Sequence, residues 1–326
     1  MRALPELPKQ LLGAALLLGC ACAFSPDVVL AQDGLQLAEQ AKAVRAQIAA
    51  EESRHAGADL LGYSWLVLGK LYDSQLQEQQ AEDAYAHALP LLRAAGPEAQ
   101  YADALHGMGA VCVATGRVAE GRKYLTASLA VYEKLQDRVH AAILHQALAG
   151  EVMANGKFKD AIAESSASLA ELATVENAPA ETVMTGYMVR SVAEYHAGEN
   201  AEALTDVARA RAAATRAGLA DNAFEWVAIS LAEGNALTRA GHAEQGHAAI
   251  EEALRLVSTR ADTPPVLSLR LQIWILNEYS ASLEAAHRKP DAKLIHARVA
   301  SLESQLPAAC QGCTVSVAAL RMSALR

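Results

Sequence analysis

Apolar side chains between residues 61 and 90 follow the spacing of amphipathic helices. Trp65, Leu68 and Tyr72 lie three and four residues apart, so they share one face of a predicted first helix. After a short polar stretch, Ala81 and Tyr85 have the same helical spacing and belong to a predicted second helix. The pattern therefore predicts a pair of helices joined by a short turn, which is a helical hairpin.

The same pattern recurs along the chain. Its marker is a turn residue, usually glycine, followed five residues later by a small residue that opens the second helix. The glycine-led markers are Gly116 with Gly121, Gly156 with Ala161, Gly198 with Ala203, and Gly241 with Gly246. In the first and last copies, Leu76 and His287 take the place of the glycine. Successive small residues from Ala81 to Ala292 lie 40 to 46 residues apart, which predicts about six hairpins.

The motif W-x2-L-G-x2-Y at residues 65–72 resembles the tetratricopeptide repeat. The resemblance covers about residues 60–306, and its long period is similar to the repeats of kinesin light chain and of many bacterial regulatory proteins. It implies an all-α, right-handed superhelical solenoid of antiparallel hairpins. The fourth copy departs from the motif, because Arg190 and Ser191 stand where it has Leu and Gly. The structural positions implied by the repeat are Trp65, Leu68, Gly69, Tyr72, Ala81, Gly109, Gly116, Gly156, Ala161, Gly198, Ala203 and Gly241.

Three further segments flank the repeats. Residues 32–60 contain apolar side chains such as Ala41 and Ile48 at helical spacing, and we predict a capping helix there. Residues 61–306 form the predicted repeat domain, and residues 307–326 form a C-terminal tail.

Residues 1–31 have the features of a signal peptide. Arg2 and Lys9 precede an apolar run that is too short for a membrane span of about 20 residues. Small residues before Gln32 form a predicted cleavage site. The sequence therefore predicts a periplasmic or secreted protein.

A lipoprotein signal is the alternative for the same segment. Leu17-Leu18-Gly19-Cys20 resembles a bacterial lipoprotein box, in which residues 1–19 are removed and Cys20 carries a lipid. Leu18 is bulkier than that motif prefers. Under this alternative the protein is anchored to a membrane through Cys20, and under both readings it is exported.

The net charge and the cysteine residues limit which partners and which covalent cross-links are expected. The net charge is −9, and no stripe of Lys and Arg is present, so nucleic acid is not an expected partner. Cys112 occupies a helix position that the repeat fills with a buried side chain. Cys310 and Cys313 form a C-x2-C pair that favours a small disulfide in an oxidising compartment, with free thiols as the alternative.

Catalytic and cofactor motifs are absent from the sequence. It contains no H-E-x2-H, G-x-S-x-G or phosphate-binding loop, and no set of four metal ligands at the usual spacing. We therefore expect no enzyme activity, no cofactor and no metal site.

The resemblance implies instead a binding groove, because the first helices of tetratricopeptide hairpins line the concave face. Apolar and uncharged polar side chains in such a groove suit an extended peptide or a partner helix. The candidate groove residues are Tyr63, Leu66, Lys70, His106, Gln146, Met188, Tyr195, Asn235, Trp274 and Asn277, each with packing between helices as its alternative role. The predicted function is an exported scaffold that binds a protein or peptide, and the alternative is a regulatory subunit that senses a ligand or peptide.

Overall fold

The structure, a computed structural model, describes residues 34–75, 77–221, 223–259 and 265–306. This part of the chain contains thirteen α-helices and no strand. The helices are α1 Gly34–Ser53, α2 Ala58–Ser74, α3 Glu78–Ala95, α4 Glu98–Ala114, α5 Val118–Lys134, α6 Arg138–Ala154, α7 Phe158–Ala173, α8 Ala180–Ala197, α9 Asn200–Ala217, α10 Phe224–Arg239, α11 Ala243–Ser258, α12 Pro265–Ala285 and α13 Lys289–Glu303.

Helices α2 to α13 form six consecutive hairpins, and each hairpin packs on the next. The first helices of neighbouring hairpins also contact each other directly, from α2 with α4 to α10 with α12. No second helix makes comparable contact with the second helix of the next hairpin in the described chain. First helices that lie closer together than second helices must form the inner side of a curved stack. The arrangement confirms the predicted all-α solenoid of antiparallel hairpins.

The turn inside a hairpin requires a left-handed backbone conformation. Gly116 and Gly241 occupy this turn with φ of +84° and +92°, and neither has a neighbouring atom where a Cβ would lie. Glycine is therefore placed there for its backbone conformation. In the last hairpin His287 adopts φ of +61° at the same position. Pro290 then lies in the first turn of α13, where its fixed φ is compatible with the helix.

Helix α1 packs on the first hairpin. Its Ala41 and Ile48 are buried in the same cluster as Leu66 and Leu68 of α2. Gln47 adds a polar contact, because its amide Nε2 donates to Ser64 Oγ at 3.1 Å. Helix α2 begins at Ala58, three residues before the predicted start of the repeat domain.

Glycine pairs allow the two helices of a hairpin to approach closely in the second and fifth repeats. A Cβ on Gly109 would lie 2.8 Å from Leu125 Cγ and 3.1 Å from the carbonyl oxygen of Gly121. A Cβ on Gly246 would lie 2.7 Å from the carbonyl oxygen of Gly234. Backbone atoms cannot move away without separating the helices, so a larger residue at either position is disfavoured.

We expect Gly109→Leu to lower the free energy of unfolding by about 1–3 kcal/mol, because the core at this crossing has no room for the side chain. Ala110→Leu is the matched control, since Ala110 is adjacent in α4 and only partly buried. Urea unfolding of both variants measures the difference. Equal stabilities would contradict the close approach of α4 and α5.

The fourth hairpin replaces the apolar repeat position with an ion pair. Arg190 of α8 donates to both carboxylate oxygens of Asp206 of α9, at 2.5 and 3.0 Å. Asp206 is almost completely buried and also accepts a hydrogen bond from Arg209 at 2.9 Å. The departure from the repeat motif at Arg190 is therefore compensated by a carboxylate on the facing helix.

Glu194 lies one turn further along α8, 3.7 Å from Arg190, and it is 6% exposed. Burial raises the pKa of Glu194 from 4.5 to about 7, and Asp206 adds to this rise while Arg190 opposes it. The folded protein thus keeps a proton that the unfolded chain has lost between about pH 4.5 and pH 7. This contribution to stability is fully present at low pH and is lost as the pH rises through that window.

Glu194→Gln removes this titration. The stability of the variant relative to the parent should rise between about pH 4.5 and 7.5, by at most about 1.4 kcal/mol per pH unit. Thermal melts across this range measure the trend, with Glu244→Gln on the exposed face of α11 as the control. A difference that does not change with pH would contradict the raised pKa.

Candidate functional site

The accessible inner surface of the solenoid is interrupted at the third hairpin. Every residue of α6 from Ala141 to Met153 is buried except His145, which contacts Glu164 at 2.8 Å. The inner surface therefore has two accessible parts. We call the residues on α2 and α4 the N-terminal inner face, and those on α8, α10 and α12 the C-terminal inner face.

Three of the predicted groove residues are buried between helices. Leu66 and Met188 are each 1% exposed, and Gln146 is completely buried. The amide Nε2 of Gln146 donates to Ser168 Oγ and to the carbonyl oxygen of Thr182, both at 2.9 Å. The prediction that these side chains face a ligand is corrected, because they serve the packing of neighbouring hairpins instead.

The other predicted groove residues differ in exposure. His106, Asn235 and Trp274 are 8–9% exposed, so only an edge of each reaches the surface. Tyr63 is 46% exposed at the N-terminal end of α2, and Asn277 is exposed on α12. Lys70 and Tyr195 are partly buried and retain accessible surface.

The polar groups of the N-terminal inner face satisfy one another. Lys70 of α2 donates to Asp103 Oδ2 of α4 at 2.6 Å, and the hydroxyl of Tyr132 donates to the other oxygen of the same carboxylate. Tyr132 in turn stacks on His140, with ring centroids 4.6 Å apart. Burial lowers the pKa of the neighbouring His106 to about 4, so this imidazole is neutral at pH 7. This network holds neighbouring hairpins together.

The C-terminal inner face centres on Tyr195, whose side chain connects three first helices. The guanidinium of Arg239, at the end of α10, lies over the Tyr195 ring at 4.9 Å from its centroid. Burial raises the pKa of Tyr195, while Ser282 of α12 and Arg239 oppose this rise, so both lie close to its hydroxyl. Ser282 Oγ donates to the carbonyl oxygen of Asn235 at 3.0 Å. Tyr195, Arg239, Ser282 and Asn235 therefore form one cluster, in which Ser282 and Asn235 are buried and Tyr195 and Arg239 are partly exposed.

Several polar groups of this face have no partner within the described chain. Asn235 Oδ1 and Trp274 Nε1 are buried without a hydrogen bond. Arg239 makes no ion pair with any described carboxylate, and Glu278 of α12 makes neither an ion pair nor a hydrogen bond there. Burial raises the pKa of Glu278 to about 7. Buried polar groups are usually hydrogen-bonded, so the missing partners distinguish this face from the N-terminal inner face, whose polar groups pair with one another.

Arg239 and Glu278 were not among the predicted groove residues. Each lies four residues after a predicted groove residue: Arg239 comes four residues after Asn235, and Glu278 comes four residues after Trp274. Residues four apart share a helix face, so the spacing could have predicted that Arg239 and Glu278 lie on the same face as those groove residues.

The described residues contain neither a candidate metal site nor a candidate membrane-spanning helix. They contain no group of three or more His, Cys, Asp or Glu side chains placed to hold a metal ion. None of the described helices combines the length and apolar character needed to span a membrane. Cys112 is completely buried, as predicted, and burial raises the pKa of its thiol. Cys310, Cys313 and the predicted leader with Cys20 lie outside the described residues.

Solved structures with this arrangement are helical-repeat proteins. BtubC (BKLC) from P. vanneervenii superposes with a TM-score of 0.56 at 16% identity, over 71% of this chain and 92% of that chain. A Rap protein complexed with competence and sporulation factor superposes with a TM-score of 0.57 at 17% identity, over 86% and 83%. A tetratricopeptide repeat protein from Parabacteroides merdae gives 0.50 at 12% identity, over 88% and 92%.

No protein-family model matches the sequence, and neither does any curated protein. The structural likeness therefore establishes the fold, which is that of a tetratricopeptide-repeat solenoid.

Proposed function

We propose that this protein is an exported, non-catalytic scaffold that binds an extended protein or peptide segment on its C-terminal inner face. The observation that carries the proposal is the set of partly exposed side chains Tyr195, Arg239 and Glu278 on three adjacent first helices, of which Arg239 and Glu278 have no ion pair within the described residues. A peptide backbone supplies both donors and acceptors, and its side chains fill the gaps between helices. The N-terminal inner face is less suited to this role, because Lys70 and Asp103 already neutralise each other.

A peptide-display selection against the protein, followed by fluorescence anisotropy with the selected peptides, tests the proposal. Asn277→Arg places a bulky charge on the inner side of α12 and should weaken binding about tenfold or more. Leu294→Arg, on the 70% exposed side chain of the second helix α13, is the control and should leave binding unchanged. Equal loss in both variants, or loss only in the control, would contradict binding at the inner face.

Export is part of the proposal and rests on the features of residues 1–31. Mass spectrometry of the protein from its native host distinguishes the alternatives. A mature chain beginning at Gln32 supports secretion, and an acylated Cys20 supports a lipid anchor. An intact Met1 would overturn export altogether.

A regulatory subunit that senses a peptide is the second candidate. The solved relative with the highest TM-score among those described above is a Rap protein complexed with competence and sporulation factor. That likeness is one of fold, and the complex that its name describes is what supports a ligand-sensing role as the second candidate. A signalling role predicts that the bound peptide changes the affinity of this protein for a further protein, which a plain scaffold does not require.

A further inference from the structure

The C-terminal inner face carries one basic and one acidic side chain, Arg239 of α10 and Glu278 of α12. Both side chains flank one contact between these helices: Arg239 lies one turn after Asn235 and Glu278 lies one turn before Ser282, and Ser282 Oγ donates to the carbonyl oxygen of Asn235. Arg239 and Glu278 form no ion pair together. Elsewhere in the described chain, partly buried arginines such as Arg117, Arg190 and Arg211 have carboxylate partners at 2.5 Å.

The position of Arg239 is fixed by the protein before any ligand binds. Its guanidinium lies against the Tyr195 ring, and a planar cation on an aromatic face is held by electrostatic attraction. The guanidinium keeps donors that can bind a carboxylate in a bidentate manner. Because its side chain is already ordered and partly desolvated, less entropy is lost when a carboxylate binds.

Glu278 provides the opposite site on the neighbouring helix. Its carboxyl group is partly buried and has no donor within the described residues. A buried carboxylate without a cation or hydrogen bonds is unfavourable, and a cationic side chain would relieve this. Asn235, one turn before Arg239, adds a buried amide oxygen that accepts no hydrogen bond.

We propose that the C-terminal inner face selects an extended peptide carrying one acidic and one basic side chain, with the acid bound by Arg239 and the base by Glu278. The proposal rests on the peptide-binding function above and specifies its ligand. Because Ser282 is level with Asn235, Arg239 and Glu278 lie one turn from this point in opposite directions along the parallel helices α10 and α12. They are therefore about 12 Å apart along the helix axes and about 8–10 Å apart across them, and an extended chain advances about 3.3 Å per residue. The two charged side chains should therefore be about four to five positions apart in the peptide.

A synthetic peptide array tests the selection. Nonapeptides of alternating Ser and Leu carry Asp and Lys four positions apart in both orders, and their neutral relatives carry Asn or Gln instead. The parent protein should bind one order of Asp and Lys about tenfold more tightly than the peptides lacking either charge, the typical contribution of a charged hydrogen bond. Arg239→Gln should abolish the preference for Asp, and Glu278→Gln should abolish the preference for Lys.

The double variant Arg239→Glu/Glu278→Arg gives the sharpest result, because it should prefer the reversed order of charges. Arg216→Gln, an exposed arginine at the end of α9, is the matched control and should keep the preference of the parent. If the double variant does not fold, the single Gln variants decide the question. Binding of charged and neutral peptides with equal affinity overturns the selection but leaves the peptide-binding function standing. Binding of no peptide by the parent overturns that function as well.

Discussion

Replacing Tyr85 by Ala should lower the free energy of unfolding by about 3–5 kcal/mol, the usual cost of deleting a buried aromatic side chain. Tyr85 is 2% exposed and belongs to the second helix of the first hairpin. A Cβ on Gly69 of α2 would lie 2.6 Å from its ring, and one on Gly107 of α4 would lie 2.2 Å from it. The ring thus fills the space between two hairpins, and its loss weakens the stack at that point.

Two further variants control the Tyr85→Ala result. Tyr85→Phe keeps the ring and should cost only about 1 kcal/mol, the net contribution of one hydrogen bond. Trp65→Ala should cost less than Tyr85→Ala, because Trp65 is only partly buried and stacks on His87 at 4.4 Å. Urea unfolding ranks the three. If Trp65→Ala proves the most destabilising, the account of Tyr85 as the main inter-hairpin contact is wrong.

Arg190→Leu should have the second largest effect, at about 3 kcal/mol. The substitution restores the residue type of the repeat motif but leaves the buried carboxylate of Asp206 without its main partner. Removing one member of a buried ion pair costs about 3–5 kcal/mol, and the lower end applies because Arg209 still contacts Asp206.

The double variant Arg190→Leu/Asp206→Ala tests the cause of this loss. It creates the Leu and Ala pair that Leu68 and Ala84 form at the same positions of the first hairpin. Because buried ion pairs are often replaced by apolar residues without cost, the second substitution should recover most of the lost stability. Chemical denaturation of the single and double variants measures the recovery. A double variant less stable than Arg190→Leu alone would show that the two residues do not act as a pair.

The sequence was sufficient to predict the fold because its period-3.6 pattern recurs in six hairpins and its turn glycine in four of them. Tyr85, Ala81 and Gly116 occupy the positions that the motif assigns to them. The site was harder to predict, since the exposure of a first-helix residue depends on how tightly the next hairpin packs. Gln146 lies at a motif position for the inner face, yet the neighbouring α7 and α8 cover it completely. Neither hydropathy nor spacing encodes that local packing.

Long-range polar contacts were equally invisible in the sequence. In the sequence, Arg190 is a departure from the repeat motif. Its ion pair with Asp206 on the facing helix is visible only in the structure. Arg239 and Glu278 could be placed on helix faces by their spacing, but their lack of partners follows only from the three-dimensional arrangement around Tyr195.

Hydrogen–deuterium exchange of the protein with and without a selected peptide tests the central claim most directly. Binding to the C-terminal inner face predicts slower exchange in the last turns of α8 and α10 and in the middle of α12, around Tyr195, Arg239 and Glu278. The second helices α9 and α11 should exchange as in the free protein. Protection confined to those second helices, or to α2 and α4, would contradict the assignment of the binding surface.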